Sequence, residues 1–237
     1  MNNKFSRTEA LLGKEAMNKI ADSTVCIFGI GGVGSFALEA IVRAGVGQVI
    51  IVDHAEVDET NINRQLIALQ STVGIMKTQV AITRMKDINP DISITAYEDF
   101  ADSENICKII PSNTDYIIDA IDSVSSKLAL VEYAIKNNIK IICCMGTGNK
   151  LHPEKLMISD VYKTSVDPLA RVMRSELRKK GIKKLKVVWS DELPTLSGDQ
   201  LPANKDGKKV PASISYVPSI AGLLLASEVV NHIADIK

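Results

Sequence analysis

The sequence feature that most constrains the fold is an apolar run that ends in closely spaced glycines. Residues 25–28 have the composition of a buried strand, and Gly29, Gly31, Gly32 and Gly34 follow within a G-x-G-x-x-G spacing. A helical pattern over residues 36–44 begins soon afterwards. Glycine permits a tight turn and a close approach between backbone and ligand, and the amino end of a helix attracts phosphate. The stretch therefore predicts a strand–turn–helix unit that binds a nucleotide.

A second apolar run strengthens this prediction. Residues 48–52 form the run, and Asp53 follows it. This acid stands about 20 residues after the glycines, where a carboxylate accepts hydrogen bonds from ribose hydroxyls. Glycines with this spacing also occur where a helix merely crosses a strand closely. The strand before them, the helix after them and Asp53 together favour a nucleotide site.

Strand-like and helix-like segments alternate along the rest of the chain, and this alternation predicts an α/β fold. Further strands are predicted at residues 92–97, 116–122 and 139–145, with helices between them. Successive β-α-β units produce a parallel sheet with right-handed connections. We expect a Rossmann-like, doubly wound, mainly parallel sheet. After Gly146 a few antiparallel strands should extend it, and residues 156–162 are one candidate.

Length and composition set further bounds. The 237 residues, 46% hydrophobic and 24% charged, suit a soluble globular protein with a substantial core. We expect one domain over residues 1–237, with a nucleotide-binding half at about 1–150 and a substrate-facing half at about 151–237. The amino terminus lacks an apolar signal core. The apolar residues 214–230 contain Pro218 and Glu228, so they predict a buried final helix rather than a membrane span. These features favour a cytoplasmic protein without membrane contact.

Polar residues that follow the predicted strands are the candidates for chemistry. The segment after Asp53 leads to Asn61, Arg64 and Gln65 at the carboxyl edge of the sheet, where α/β folds bind ligands. Lys77 occupies the first turn of a predicted helix, where a positive charge opposes the helix dipole. Either an anionic ligand or simple solvation explains this lysine.

Two acids end the predicted fourth strand, and one arginine precedes the first. Asp119 and Asp122 are three residues apart and, together with phosphate oxygens, can bind Mg²⁺. Asp119 can instead brace a neighbouring loop. Arg7 lies outside any core pattern, and it is either solvated or a phosphate contact that reaches into another subunit.

A basic segment stands out because the formal net charge of the chain is zero. Residues 171–186 carry eight basic residues against one acid, and Arg171, Arg174 and Arg178 share a helical face. Such a face is either solvated or a footprint for nucleic-acid phosphates. Residues 195–212, rich in Gly, Pro, Lys and Asp, are expected to form a mobile loop.

Taken together, these motifs resemble those of the ubiquitin-activating-type adenylating superfamily (the ThiF, MoeB and HesA enzymes). The resemblance covers nearly the whole chain. It rests on the glycine turn, N-x-x-R-Q at residues 61–65, G-x-x-K at 74–77 and D-x-x-D at 119–122. The ATP-binding residues that it implies are Gly29, Gly31, Gly32, Gly34, Asp53, Asn61, Arg64, Gln65, Lys77 and Asp122.

The same resemblance implies catalytic roles for four residues. Arg64 and Lys77 neutralise the phosphates of ATP while the α-phosphorus is attacked. Asp122 holds Mg²⁺ through the ATP phosphates. Arg7 is donated across a homodimer to the nucleotide of the partner subunit, a role that suits arginine because a guanidinium group donates two parallel hydrogen bonds to phosphate.

The chain after Gly146 is most similar to the branch that dehydrates threonylcarbamoyladenosine beside the anticodon of tRNA. Lys163-Thr164, Asp167-Pro168-Leu169-Ala170 and the basic helix carry this finer likeness. It implies ATP-dependent cyclisation, through adenylation of a carboxylate and intramolecular ring closure, on a modified tRNA. The tRNA contacts that it implies are Arg171, Arg174, Arg178, Lys179 and Lys180. It leaves open a monovalent cation near residues 163–170 and a sulfur- or electron-transfer protein as a second partner.

Three other functions compete with this one. An activator of a small sulfur-carrier protein would adenylate a Gly-Gly tail. Many such enzymes carry C-x-x-C zinc pairs or a downstream cysteine, whereas this chain has no C-x-x-C pair and no cysteine after Cys144. An NAD-dependent dehydrogenase would use the same fold, but Arg64, Lys77 and Asp122 point to phosphate chemistry. A non-catalytic tRNA-binding protein would show no ATP turnover.

Overall fold

The centre of the protein is a seven-stranded sheet, seen in a computed structural model that describes residues 3–196, 200–203, 207 and 209–236. Its strands are β1 Thr24–Phe28, β2 Gln48–Val52, β3 Ser93–Tyr97, β4 Tyr116–Asp119, β5 Lys140–Cys144, β6 Leu156–Asp160 and β7 Lys186–Ser190. Their order across the sheet is β3-β2-β1-β4-β5-β7-β6. Neighbouring strands are parallel except β6 and β7, which pair antiparallel. The predicted doubly wound, mainly parallel sheet with an antiparallel extension is therefore confirmed.

Eight helices in the described ranges connect or flank these strands. They are α1 Ser6–Leu12, α2 Lys14–Asp22, α3 Gly34–Ala44, α4 Lys77–Ile88, α5 Ile106–Ile109, α6 Val124–Lys136, α7 Pro168–Lys179 and α8 Tyr216–Ile233. Short 3₁₀ turns cover Glu59–Asn61, Gln70–Thr72, Pro153–Lys155 and Val161–Lys163. In the described part of the chain, no helix has both the length and the apolar character needed to cross a bilayer.

Side chains alternate between the two faces of the sheet along each strand, and helices cover both faces. On β1, Val25 and Ile27 join the cluster formed with α2, α3, α4 and α8. Cys26 and Phe28 point the other way and pack with α5 and α6. Helix α7 covers the far end of that second face, where Met173 joins a cluster that includes β7. The near-continuous apolar runs of these strands follow from this two-sided burial.

The strand order creates the crevice in which the site lies. The chain moves outward from β1 to β2 and β3, then returns to the other side of β1 with β4. Connections therefore leave the carboxyl ends of β1 and β4 in opposite directions, and open α/β sheets bind ligands at such a switch point. Gly29 follows β1 and Asp122 follows β4, so two predicted motifs meet at this crevice.

Several predicted boundaries were wrong. The fourth strand ends at Asp119 rather than at residue 122, because the Asp119 carboxylate accepts the Ile121 amide at 3.1 Å and turns the chain. The helix predicted at residues 103–110 contracts to Ile106–Ile109. No strand was predicted at Lys186–Ser190, since the basic run before it obscured an apolar segment. The expected mobile loop at residues 195–212 lies partly outside the described residues.

Candidate nucleotide and acceptor cleft

The glycine turn after β1 has the geometry that the sequence predicted. Gly29 adopts φ +86°, and a Cβ there would lie 2.8 Å from the main-chain oxygen of Ala120. A Cβ at Gly34 would lie 1.7 Å from the Gly29 oxygen, so any side chain would force strand and helix apart. Gly34 therefore closes the turn from behind, whereas Gly29, Gly31 and Gly32 line the cleft itself.

Asp53 braces this turn from β2. Its Oδ2 accepts the Ile30 amide at 2.7 Å, and its Oδ1 accepts the Ala55 amide at 2.9 Å. The carboxylate is buried and lines the cleft. Each carboxylate oxygen keeps a second lone pair, so the predicted contact with ribose hydroxyls is compatible with this bracing role.

A tight turn presents the residues of the N-x-x-R-Q motif. Asp58 caps the 3₁₀ turn by accepting the Thr60 amide at 2.9 Å, and Asn61 Oδ1 accepts the Asp58 amide at 3.1 Å. The Arg64 and Gln65 amides both donate to the Asn61 carbonyl. The chain therefore curls so that Asn61, Arg64 and Gln65 all line the cleft.

Arg64 enters the cleft without a carboxylate partner in the described ranges. Its Nη1 donates to the Thr60 carbonyl and to Asn63 Oδ1, both at 2.9 Å. Half-burial lowers the pKa of Arg64, because the charged form loses solvation that no anion replaces. Such a guanidinium is well placed to bind an incoming anion.

Lys77 opens α4 beside the segment that follows β2. The Lys77 amide donates to the Ala55 carbonyl at 3.1 Å, and the Gly74 amide donates to the Val57 carbonyl at 2.9 Å. This pairing explains the G-x-x-K motif, since it draws the amino end of α4 into the cleft. The lysine is 9% exposed, and in the described part of the chain its ammonium group forms no ion pair or hydrogen bond. A largely buried lysine whose ammonium group lies at the cleft without an anionic partner favours the anionic-ligand explanation over simple solvation.

The two acids after β4 have separate roles. Asp119 is fully buried, and its Oδ2 lies 3.0 Å from the Lys127 ammonium, so it braces its own loop. Asp122 is exposed at the cleft and forms no side-chain hydrogen bond within the described residues. Because Asp119 is buried and paired with Lys127, it is not available to share a magnesium ion with Asp122, and Asp122 is the one of these two carboxylates that lines the cleft.

The cleft that these residues line has a volume of about 690 Å³. All the predicted ATP-binding residues except Gly34 line it. Among the described residues, two buried side-chain atoms lack a hydrogen-bond partner, Gln65 Oε1 and Ser126 Oγ, and both belong to residues that line this cleft. Buried polar atoms are almost always bonded, so this pair indicates a site that a polar ligand completes.

The remaining predicted residues lie outside the cleft. Arg7 is exposed on α1 and does not line the cleft of its own chain. The basic residues of α7 follow Pro168 and Leu169, which line the cleft. Twelve helical residues span about 18 Å, so α7 leads from the cleft outward. The predicted roles of Arg7 and of the α7 cations stay predictions.

Sequence analysis missed several cleft residues. His54 and Phe100 form an edge-to-face ring pair, 5.3 Å between centroids, beside Asp53. On the opposite side lies Lys150, together with Asp167, which the sequence singled out through the finer likeness but did not place in the cleft. His54, Phe100 and Lys150 follow β2, β3 and β5, so each comes after the carboxyl end of a strand. That position was the signal in the sequence by which they could have been found.

The side of the cleft opposite the glycine turn, called the acceptor side below, is held together by hydrogen bonds to main-chain groups. Asp167 caps α7 through the Ala170 amide at 2.9 Å and holds the Gly146 amide at 2.8 Å. Lys150 donates to the Glu192 carbonyl at 2.8 Å, and burial lowers its pKa. Cys144 also lines the cleft, but burial raises the pKa of its thiol to about 12, so it supplies no thiolate at neutral pH.

Within the described residues, two cations and one acid without charged partners lie at a glycine turn at the switch point, and together they define a nucleotide-binding protein of the doubly wound class. Residues 5–237 match the ThiF family, and the chain belongs to that family.

The chain is 41% identical over 239 residues to the tRNA threonylcarbamoyladenosine dehydratase of Bacillus subtilis, a match that covers 97% of this chain and 94% of that protein. Crystal structures of the tRNA N6-threonylcarbamoyladenosine dehydratase TcdA of E. coli superpose on it. The complex with ATP has a TM-score of 0.89 and 32% identity, covering 98% of this chain and 94% of that one. The complex with AMP superposes with the same values.

Proposed function

We infer that this protein is an ATP-dependent enzyme that dehydrates threonylcarbamoyladenosine next to the tRNA anticodon. The single observation that carries the inference is the likeness to tRNA threonylcarbamoyladenosine dehydratases along almost the whole of both chains. The cleft supports it independently, since it offers a glycine turn, two cations without anionic partners among the described residues and, opposite the turn, room for an acceptor.

ATP fits the glycine side of the cleft. The amides of the turn and the amino end of α3 suit its phosphates, and Asp53 suits the ribose. Gln65 Oε1, which lacks a partner among the described residues, accepts a donor such as a hydroxyl or amine. We assign Arg64 and Lys77 to the phosphate charges, because neither is paired with a carboxylate in the described ranges.

Mg²⁺ also suits this site. Magnesium commonly takes one or two carboxylates together with substrate phosphate oxygens, and Asp122 is a carboxylate at the cleft that no described residue pairs with. When bound, the ion would withdraw charge from the phosphates. A monovalent cation near residues 163–170 would be held by main-chain oxygens together with Asp167, since each Asp167 carboxylate oxygen keeps a lone pair beyond the amide that it accepts.

The reaction that we assign has two steps. The threonyl carboxylate of the modified adenosine attacks the α-phosphorus of ATP, and pyrophosphate leaves. The carbamoyl group then attacks the acyl carbon, AMP leaves and a proton is released, which closes the ring with net loss of one water. No enzyme nucleophile is needed, since oriented intramolecular reactions reach effective molarities of about 10⁵–10⁸ M. The high thiol pKa of Cys144 agrees with this route.

The protein contributes positioning and charge stabilisation to both steps. Arg64 and Lys77 hold the phosphate charge that grows as pyrophosphate departs. Arg7, exposed on α1, completes the site only if it reaches a second copy of the chain. A homodimer therefore forms part of the proposal. A sulfur- or electron-transfer protein as a further partner stays a prediction, and a tRNA substrate implies the cytoplasm.

The tRNA would lie along α7, which starts at the cleft. Of the residues that the resemblance assigns to tRNA, Arg171 is exposed and has no partner in the described part of the chain. The remaining four all interact within the protein. Lys183 and Lys184, beyond the helix, are exposed and likewise unpartnered there. We therefore extend the proposed footprint to these two lysines.

The purified protein, incubated with ATP, Mg²⁺ and tRNA that carries threonylcarbamoyladenosine, tests the function. We expect AMP and pyrophosphate in equal amounts. Nucleoside mass spectrometry should show a modified nucleoside that is lighter than threonylcarbamoyladenosine by the mass of one water. Unmodified tRNA is the matched control. ADP in place of AMP would contradict adenylation. Pyrophosphate exchange that responds to a Gly-Gly protein tail but not to modified tRNA would select the sulfur-carrier function.

A further inference from the structure

A lysine–aspartate pair lies completely buried beneath the cleft and has no place in the chemistry above. Asp119 ends β4 and Lys127 lies on α6, and both side chains are 0% exposed. Burying two charges is costly unless geometry and extra hydrogen bonds compensate. Replacing such a pair by apolar residues is often neutral or stabilising, so its presence calls for a role other than stability.

The bonds of the pair link two loops that both line the cleft. The Lys127 ammonium lies 3.0 Å from Asp119 Oδ2 and 2.8 Å from the Cys144 carbonyl. Asp119 Oδ1 accepts the Ile121 amide at 3.1 Å. One end of this path therefore holds the loop at residues 120–123, which carries Asp122. The other end holds the start of the loop at residues 145–150, on the acceptor side.

The path continues beyond the pair to the helix that leads outward. After Cys144, the Gly146 amide donates to Asp167 Oδ2 at 2.8 Å, and Asp167 Oδ1 accepts the Ala170 amide in the first turn of α7. These hydrogen bonds, joined by the main chain between Cys144 and Gly146, thus connect the Ile121 amide, next to Asp122, with the acceptor loop and with α7.

We propose that Asp119 and Lys127 are positioning residues that set the separation between the Asp122 loop and the acceptor loop. The proposal rests on the function inferred above, in which an acceptor on one side attacks a phosphate on the other. Reaction between two bound groups is sensitive to such separations, and a displacement of about 1 Å costs up to about 10²-fold in rate. The pair itself touches neither ligand.

Electrostatic interactions favour the charged form of Lys127. Burial acts to lower the pKa of Lys127, but the attraction of Asp119 outweighs it, so the pKa lies above its usual value. The lysine stays charged throughout the neutral range, and the link between the loops does not depend on pH there. A neutral replacement is therefore the informative change.

The test uses the double variant Asp119→Asn, Lys127→Met in the full chain. Asparagine keeps the acceptor for the Ile121 amide, and methionine keeps most of the length of lysine, so the change removes the ion pair between the two side chains and the hydrogen bond from Lys127 to the Cys144 carbonyl. We expect cooperative unfolding near the wild-type temperature, AMP affinity within about twofold of wild type, and kcat for AMP release lower by about 10- to 100-fold. The matched control is Lys186→Met, Glu228→Gln, which removes an ion pair between β7 and α8 and should keep kcat.

A folded double variant with wild-type kcat would overturn the proposal, and so would a fall in AMP affinity as large as the fall in kcat. If the double variant does not fold, hydrogen exchange of the wild type decides. The Ile121 and Gly146 amides should exchange as slowly as strand amides, and fast exchange at either would refute the link. If the wild type itself makes no AMP with modified tRNA, the proposed function fails instead, whatever the variant does.

Discussion

The charged side chains on the two sides of the cleft differ in their bonding partners. On the glycine side, Lys77 and Asp122 have no partner in the described chain, and Arg64 donates only to uncharged acceptors. On the acceptor side, Asp167 binds two amides, and Lys150 donates to a main-chain carbonyl with the negative charges of Asp167 and Glu192 acting on it. Unpaired charges in a cleft are costly unless a ligand supplies the opposite charge. The glycine side is therefore prepared for a charged ligand, while the charges on the acceptor side shape the cleft.

The same distinction divides the basic helix α7. Arg174 donates to Thr164, and Arg178 lies 5.1 Å from the ring centroid of Tyr162. Lys179 pairs with Glu176 at 2.6 Å and Lys180 with Glu132 at 2.5 Å. A basic run in the sequence therefore overstates the positive charge that is free to meet phosphates.

The largest expected effect comes from removing an unpaired cation. Arg64→Ala or Lys77→Ala should lower ATP–pyrophosphate exchange by at least about 10²-fold, because each donor stabilises charge that develops in the transition state. The melting temperature should change little, since neither side chain has an ion pair to lose in the described ranges. Lys108→Ala, on exposed α5 surface, is the matched control. Near-normal ATP–pyrophosphate exchange in both variants would contradict the assignment of the glycine side to a charged ligand.

Removing the unpaired acid should have a smaller effect. Asp122→Asn keeps the shape of the side chain but loses its charge, so we expect the rate to fall about tenfold to 10²-fold and the Mg²⁺ concentration for half-maximal rate to rise. Titrating Mg²⁺ at saturating ATP measures both. An unchanged Mg²⁺ requirement would remove Asp122 from the metal site. Asp99→Asn, at the ring-pair end of the same cleft, serves for comparison.

Two triple variants compare how much tRNA binding depends on cations without partners in the described chain and on cations that interact within the protein. The triple variant Arg171→Gln, Lys183→Gln, Lys184→Gln should weaken tRNA binding and reduce the slope of log K against log salt by about 0.7 to 0.9 for each phosphate that is no longer neutralised. Arg174→Gln, Arg178→Gln, Lys180→Gln should change the slope less, because these three side chains interact within the protein. Equal slopes in both variants and the wild type would favour a solvated face.

The smallest effect is expected from a fully partnered acid that does not line the cleft. Burial acts to raise the pKa of Glu39, but Arg84 and Arg43 outweigh it, so the pKa lies below its usual value. A lowered pKa contributes stability above the unfolded-state pKa, near 4.5, and this is lost as pH falls through the folded-state pKa. Glu39→Gln should therefore lower the free energy of unfolding by less than about 1 kcal/mol at pH 7. Denaturant melts at pH 7 and pH 3 check that the difference disappears in acid.

Much of the nucleotide side was predictable because its signals are local. The turn at Gly29 needs positive φ, Gly34 needs a bare backbone, and Asp53 follows its strand directly. Of the two roles that the sequence left open for Asp119, bracing its loop is the one observed, and the reason is nonlocal, since Lys127 comes from the following helix to pair with this acid. Strand β7 was missed because the basic run before it obscured its short apolar segment, and the pairing with β5 and β6 that confirms it is not a local signal.

By itself, then, the sequence determined the α/β class and the glycine turn, because short-range spacing dictates backbone conformation there, and its motifs indicated the residues that line the glycine side of the cleft. Only the tertiary structure decided which charges are neutralised. Lys127 reaches Asp119 and Cys144, Arg174 reaches Thr164, and Lys180 reaches Glu132 across turns and elements. Electrostatic interactions depend on distance in space, and chain spacing does not report that distance.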